Sequence, residues 1–299
     1  MNLFLSQFYV NIRFTIIMGV STMTIWNAVL LGLIQGIAEI LPISSSGHLA
    51  IVNNLFKLSN LSEGHALFES LLYLSTMVSV CLVYWPELRA MYLELLALAG
   101  VGPLAGEERP RYAAARCFFM LVLATLPLLL ALPINSRVEL LNGRNIFIGI
   151  MLILTGCLLY VSDKMIPGKK NQSSMTVFDA LIIGLCQSVA TIPGLSRSAV
   201  TITAGVATGL RRSFAVNFSF LLSIPAVFGA AILSFIDAVR DGITWAYVPA
   251  YLVGTAVAML SGVAAIHVMR YISRKGRFGG FSYYCWVVGV LSIILHLIF

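Results

Sequence analysis

"GLIQGIAEILPISSSG" (Gly32–Gly47) and "GLCQSVATIPGLSRSA" (Gly184–Ala199) align without a gap, 152 residues apart in a chain of 299. Gly32/Gly184, Leu33/Leu185, Gln35/Gln187, Ala38/Ala190, Ile40/Ile192, Ser44/Ser196 and Ser46/Ser198 are identical pairs. Each stretch lies inside a long apolar segment, residues 27–56 and 178–210, that Pro, Gly and Ser interrupt near its middle. A spanning helix needs about 20 apolar residues, and neither half of either segment supplies them comfortably. The spacing therefore predicts two helix–loop–helix elements that enter a membrane and return. Irregular backbone at that depth is stable only where protein or a water-filled cavity satisfies its polar groups.

The rest of the chain agrees with a membrane setting. It is 59% hydrophobic and 10% charged, with a mean hydropathy of +0.94. Soluble domains are about a quarter charged, so this composition cannot cover a water-soluble surface. Six further apolar runs, at 67–85, 114–135, 146–161, 214–236, 246–268 and 281–299, are long enough to span. The expected fold class is an all-α polytopic membrane protein with about six transmembrane helices plus two re-entrant elements. Downstream of the paired stretches, "FESLL" (Phe68–Leu72) matches "FSFLL" (Phe218–Leu222) at nearly the same offset. A tandem duplication follows, with one membrane domain (23–299) made of repeats at about 24–162 and 176–299.

The formal charge of +7 reports orientation rather than nucleic-acid binding. Arg270, Arg274, Lys275 and Arg277 share one short loop, which is cytoplasmic by that rule, and counting back puts Arg211 and Arg212 on the same side with Asp237 and Asp241 opposite. Three spans separate the two broken segments, an odd number, so the repeats are inverted. Residues 1–22 are ambiguous between a signal-like segment, an interfacial helix and an upstream extension, because Arg13 breaks the apolar run. The five cysteines form no C-x-x-C pair and suggest neither a metal site nor a disulfide framework.

Broken helices at matching positions of inverted repeats point to a binding site near the midplane. This arrangement would bring Glu39 and the serines 44–46 to Ser196, Arg197 and Ser198. An arginine at that depth costs about 2.5 kcal/mol or more, and its planar fork of donors suits phosphate or carboxylate. Gly194 permits close backbone approach, and a helix starting after the loop would aim free N–H groups at an anion. Glu39 can act as a general base or bind a hard cation such as Mg²⁺ or Ca²⁺. Gln35, one turn earlier, and Glu69 are further oxygen donors. His48 can serve as nucleophile or general acid. The plainer alternatives are a structural Arg197–Glu39 ion pair and an interfacial Glu69.

"QGIAEILPISSSGH" (Gln35–His48) together with "PGLSRSAVT" (Pro193–Thr201) resembles the undecaprenyl-diphosphatase family, the bacitracin-resistance membrane phosphatases. The resemblance runs from about Trp26 to the C-terminus and includes "FSFLLSIP" (Phe218–Pro225). It implies removal of one phosphate from undecaprenyl diphosphate, recycling a lipid carrier for cell-wall synthesis, with a divalent cation as cofactor and access from the outer face of the bacterial inner membrane. By resemblance the acidic motif falls on Gln35 and Glu39, the essential histidine on His48 and the phosphate-binding arginine on Arg197. Ser45, Ser196 and Ser198 match site positions, and Ser44, Ser46, Gly47, Gly194 and Thr201 are expected to line the phosphate. Gln35, Ala199, Asn217, Tyr73 and Ser75 depart from the family pattern.

The expected partners are a polyprenyl diphosphate lipid and membrane lipids, with a homodimer left open and no nucleic acid. Water, His48 and a serine all stay open as the attacking group. Phosphatases of the phosphatidic-acid type also carry "SGH", but Thr203 stands where they place a nucleophilic histidine after Ser-Arg. A lipid flippase or anion transporter is the alternative function, since inverted repeats with broken helices serve transport equally well.

Overall fold

The computed structural model describes residues 23–55, 65–101, 112–130, 144–166, 168–275 and 278–298. The segment 1–22 and parts of two expected spans, 131–135 and residue 299, lie outside the described residues. In chain order the helices are α1 (Ile25–Ile40), α2 (Ser45–Leu55), α3 (Ala66–Val83), α4 (Trp85–Leu98), α5 (Ala113–Leu129) and α6 (Asn145–Lys164). They continue with α7 (Val177–Val189), α8 (Arg197–Ala207), α9 (Arg212–Asp241), α10 (Val248–Lys275) and α11 (Gly279–Ile298). Five of these, α3, α6, α9, α10 and α11, are long and apolar enough to cross a bilayer. The chain is a multi-pass membrane protein, and its outward faces carry exposed Leu, Ile, Val and Phe in place of charge.

Local chemistry sets the broken elements. Thr24 caps α1 by accepting from Asn27 N–H at 3.2 Å. The helix stops at Ile40 because Leu41 precedes Pro42, and a residue before proline is pushed out of the helical region; Leu41 sits at ψ 147°. At 16 residues and 1.5 Å per residue, α1 reaches about 24 Å, short of a bilayer core of about 30 Å. In the second half Thr176 and Asp179 form a capping box at the start of α7, and Lys170 donates to both Asp179 oxygens at 2.8 and 2.9 Å. One element escaped the sequence reading. Pro86 in its first turn starts α4 directly after α3, so the run expected to end at Trp85 is a span followed by a separate helix with Trp85 and Tyr92 exposed.

Packing between the halves is reciprocal. α1 lies on α10 and α7 lies on α5, so each re-entrant arm packs against a helix of matching rank. A Cβ at Gly32 would lie 2.2 Å from the carbonyl oxygen of Gly254, and one at Gly184 would lie 2.3 Å from that of Ala124. The same glycine position thus makes the same helix-to-helix contact twice. α3 and α9 run antiparallel, with Ser70 Oγ donating to the Ala231 carbonyl at one end and Tyr84 Oη to Asn217 Oδ1 at the other. α6 and α11 also run antiparallel, Gly149 meeting Gly289 between them. Helices at corresponding places in the two halves of the chain thus run in opposite directions.

Charged groups gather at one end of this bundle. Arg212 donates to the carbonyls of Ser162, Asp163 and Met165, closing the C-terminus of α6. Arg270 lies 3.8 Å from Glu87 and over the Tyr84 ring. The main core forms where α3, α5, α7, α8, α9 and α10 converge, around Tyr84, Ile183, Ile202, Phe218 and Phe220.

Candidate active site

The two broken loops touch glycine to glycine. A Cβ at Gly47 would lie 3.1 Å from the Cα of Gly194, so any larger residue would pry the loops apart. Gly194 has φ 86°, a conformation that costs glycine nothing. Ser44 is the one non-glycine among the described residues with positive φ, at 71°.

Both loops then open their return helix in the same way. Ser44 Oγ accepts from Gly47 N–H at 3.2 Å and pairs with Ser46 Oγ at 3.3 Å. Ser196 Oγ accepts from Ala199 N–H at 3.2 Å and pairs with Ser198 Oγ at 3.2 Å. Register-equivalent serines therefore do equivalent work. Thr155 of α6 supports the second loop by accepting from Ser196 N–H at 3.1 Å.

The charged centre breaks this symmetry. Glu39, in the last turn of α1, accepts from Arg197 Nη2 on Oε1 at 2.8 Å and from Ser45 Oγ on Oε2 at 2.6 Å. Ser45 and Arg197 hold the same register position in the two repeats, and the fold brings both onto one carboxylate. Gln35 adds a longer contact, its amide nitrogen 3.4 Å from Oε2. The Glu39 side chain is 9% exposed and that of Arg197 27%. Ion pairs of this kind sit in a low effective dielectric, where one partner left alone is costly.

Beside the pair lies a small cavity lined by Glu39, Arg197, Ser198, Ser219, Phe220 and Ser223. Of the sequence-predicted residues, Glu39, Arg197 and Ser198 line it directly, while Ser45 and Gln35 hold Glu39 from behind. Thr201 is buried next to it, donating to the Arg197 carbonyl at 2.9 Å and lying 2.6 Å from Ser219 Oγ. Ser44, Ser46 and Ser196 build the loops, and Gly47 and Gly194 join them. Glu69 is exposed on α3, where Tyr73 Oη donates to it at 3.3 Å, and it does not line this cavity. His48 does not line it either. Its Nδ1 meets the Ser44 carbonyl at 2.7 Å and its Nε2 meets Tyr284 Oη of α11 at 2.8 Å, with the two rings stacked.

Sequence reasoning missed Ser219, Phe220 and Ser223 of α9. The available signal was the i, i+4 spacing of the two serines in "FSFLLSIP", which places them on one helical face.

The oxygens near the Glu39–Arg197 pair are the Glu39 carboxylate and the hydroxyls of Ser45 and Ser198, with the Gln35 amide turned nitrogen-first to Glu39; oxygen is the ligand atom that Mg²⁺ and Ca²⁺ take. Among the described residues no group of three or more His, Cys, Asp and Glu side chains assembles. One carboxylate with neutral oxygens fits a cation that draws its remaining ligands from a phosphate substrate, a usual pattern for Mg²⁺.

The family model described as bacitracin resistance protein BacA matches residues 28–291. An undecaprenyl-diphosphatase of Desulforapulum autotrophicum is 37% identical over 276 residues, covering 91% of this chain and 98% of the relative. One from Carboxydothermus hydrogenoformans is 35% identical, covering 92% and 98%. A third, from Methanosphaera stadtmanae, is 32% identical, covering 92% and 99%.

Proposed function

Because the chain belongs to the bacitracin resistance protein BacA family, we propose that it hydrolyses undecaprenyl diphosphate to undecaprenyl phosphate and inorganic phosphate. The observation that carries this reading is the convergence of Arg197 and Ser45, from opposite repeats, on Glu39 beside a cavity. An anion receptor and a carboxylate base placed together in a water-poor site are what phosphate-ester and anhydride hydrolysis requires.

Arg197 presents a planar fork to the terminal phosphate, with Ser198 beside it as a hydroxyl donor. In the structure that fork is engaged by Glu39. A diphosphate competes for it, and as Arg197 turns to the phosphate, Glu39 Oε1 is released to accept a proton. Ser45 keeps the carboxylate oriented through Oε2. The resting ion pair is thus a latch that substrate opens. Glu39, with Gln35 in support, would hold a divalent cation, which when bound neutralises charge on the phosphate oxygens. His48, held by the Ser44 carbonyl and Tyr284, supports the first loop in this reading.

The polyprenyl tail would lie among the outward apolar helix faces. Residence in a bacterial inner membrane, access to the site from the outer face, and the links to cell-wall synthesis and bacitracin resistance belong to the same proposal.

The test is phosphate release from undecaprenyl diphosphate by detergent-purified protein, beside Arg197→Ala and Glu39→Ala. Release lost in both variants while each remains folded supports the reading. No release from folded wild type, with or without Mg²⁺ or Ca²⁺, overturns it in favour of a transporter whose anion gate is this loop pair.

A further inference from the structure

The cavity beside Glu39 measures about 20 Å³. About 10–15 Å³ on this measure holds one water, so the space suits one water and excludes a diphosphate. Its polar lining divides into acceptors and donors. Ser223 Oγ donates its hydrogen to the Phe220 carbonyl at 2.7 Å. Thr201 donates to the Arg197 carbonyl at 2.9 Å, so in its 2.6 Å contact with Ser219 the hydrogen comes from Ser219. That assignment gives each of the three hydroxyl hydrogens an acceptor within the protein. Ser219 and Ser223 are left with only lone pairs for the cavity, and a Glu39 carboxylate likewise only accepts.

A water in such a space has two hydrogens for these acceptors, one for Glu39 and one for the Ser219 and Ser223 oxygens between them. Its own lone pairs are then left for the donors that share the lining, Arg197 and Ser198, which hold the terminal phosphate in the proposed reaction. We infer that Ser219 and Ser223 are positioning residues for an attacking water, and that Glu39 takes its proton. This rests on the phosphatase reading and deepens it. The water oxygen forms a bond to the terminal phosphorus as one O–H proton passes to the Glu39 carboxylate. The bond from that phosphorus to the bridging oxygen breaks, and its electron pair leaves with undecaprenyl phosphate. Orientation of this kind acts on the chemical step more than on substrate binding.

The experiment uses the purified full chain and undecaprenyl diphosphate. Wild-type phosphate release is measured first, and its absence sinks the phosphatase reading itself rather than this inference. With wild type active, Ser223→Ala and Ser219→Ala/Ser223→Ala are compared for kcat and KM, with Ser223→Thr as the hydroxyl-restoring control. The expected result is a kcat loss of threefold or more, deepest in the double variant, with KM unchanged and Ser223→Thr near wild type. A smaller loss, or one carried by KM, overturns the inference. A second measurement needs no variant, in case the double substitution fails to fold. Substrate made chiral at its terminal phosphorus with sulfur and oxygen isotopes is hydrolysed by wild type in isotopic water. Direct attack by water inverts the phosphorus, and retention overturns the inference in favour of a covalent intermediate on a protein side chain.

Discussion

Of the jobs assigned to the Glu39 carboxylate, Glu39→Gln separates two, competitor for Arg197 and proton acceptor. Glutamine has nearly the same shape. Its amide oxygen can keep the 2.8 Å contact to Arg197, and its NH₂ can face Ser45, whose hydroxyl turns round to accept. The fold should therefore survive. What the bond to Arg197 loses is the ionic attraction of the carboxylate, at most the roughly 1.5–3 kcal/mol that a whole charge-assisted bond contributes. Arg197 is about a quarter exposed, so the lower end applies, about 1.4 kcal/mol or one factor of ten in affinity. Substrate no longer has to displace a carboxylate from Arg197, and KM should fall by up to about tenfold. A neutral amide cannot accept the proton, and loss of a general base costs about 10²–10⁴ in rate. Phosphate release measured across substrate concentrations reads both effects at once. A kcat within threefold of wild type, or a tenfold rise in KM, would refute the latch-and-base assignment.

Arg197→Lys keeps the charge but loses the fork, so KM should rise about tenfold while the thermal midpoint stays near wild type. Gly32→Ala and Gly184→Ala each force a Cβ to within 2.2–2.3 Å of a backbone oxygen, and overpacking of this kind costs about 1–3 kcal/mol. Gly229→Ala is the contrast, since nothing lies within 4 Å of its added Cβ in the interior of α9; thermal unfolding in detergent should show it more stable by about 0.5–1 kcal/mol. Chelation should suppress phosphate release, and added Mg²⁺ or Ca²⁺ should restore it; activity indifferent to chelator would remove the cation from the proposal.

Much of this architecture is written in short-range chemistry. Pro42 ends α1, Thr176 and Asp179 begin α7, and Ser196 begins α8, each through contacts within four residues. The matching serine pattern at offset 152 was visible for the same reason: each loop solves the same local problem with the same residues. Apolar length located the spans because the bilayer tests each helix separately. The span's end near Trp85 was legible, but α4 was not, because Glu87 and Arg89 read as the close of a span and only Pro86 in a first turn marks a second helix.

The site depended on contacts that no local rule encodes. Glu39 meets Arg197 across 158 residues and His48 meets Tyr284 across 236. Inverted repeats predicted the first meeting from symmetry; nothing in the sequence announced the second, because a tyrosine on a spanning helix reads equally as an interfacial anchor. Ser219 and Ser223 were hidden for a related reason. A serine in an apolar helix can satisfy its hydroxyl on its own backbone, as Ser223 does with the Phe220 carbonyl, so composition cannot distinguish a silent serine from one whose lone pairs face a cavity. Only the packing of α9 against α8, with Glu39 lining the same cavity, makes that distinction, since it decides which side of the oxygen is left open.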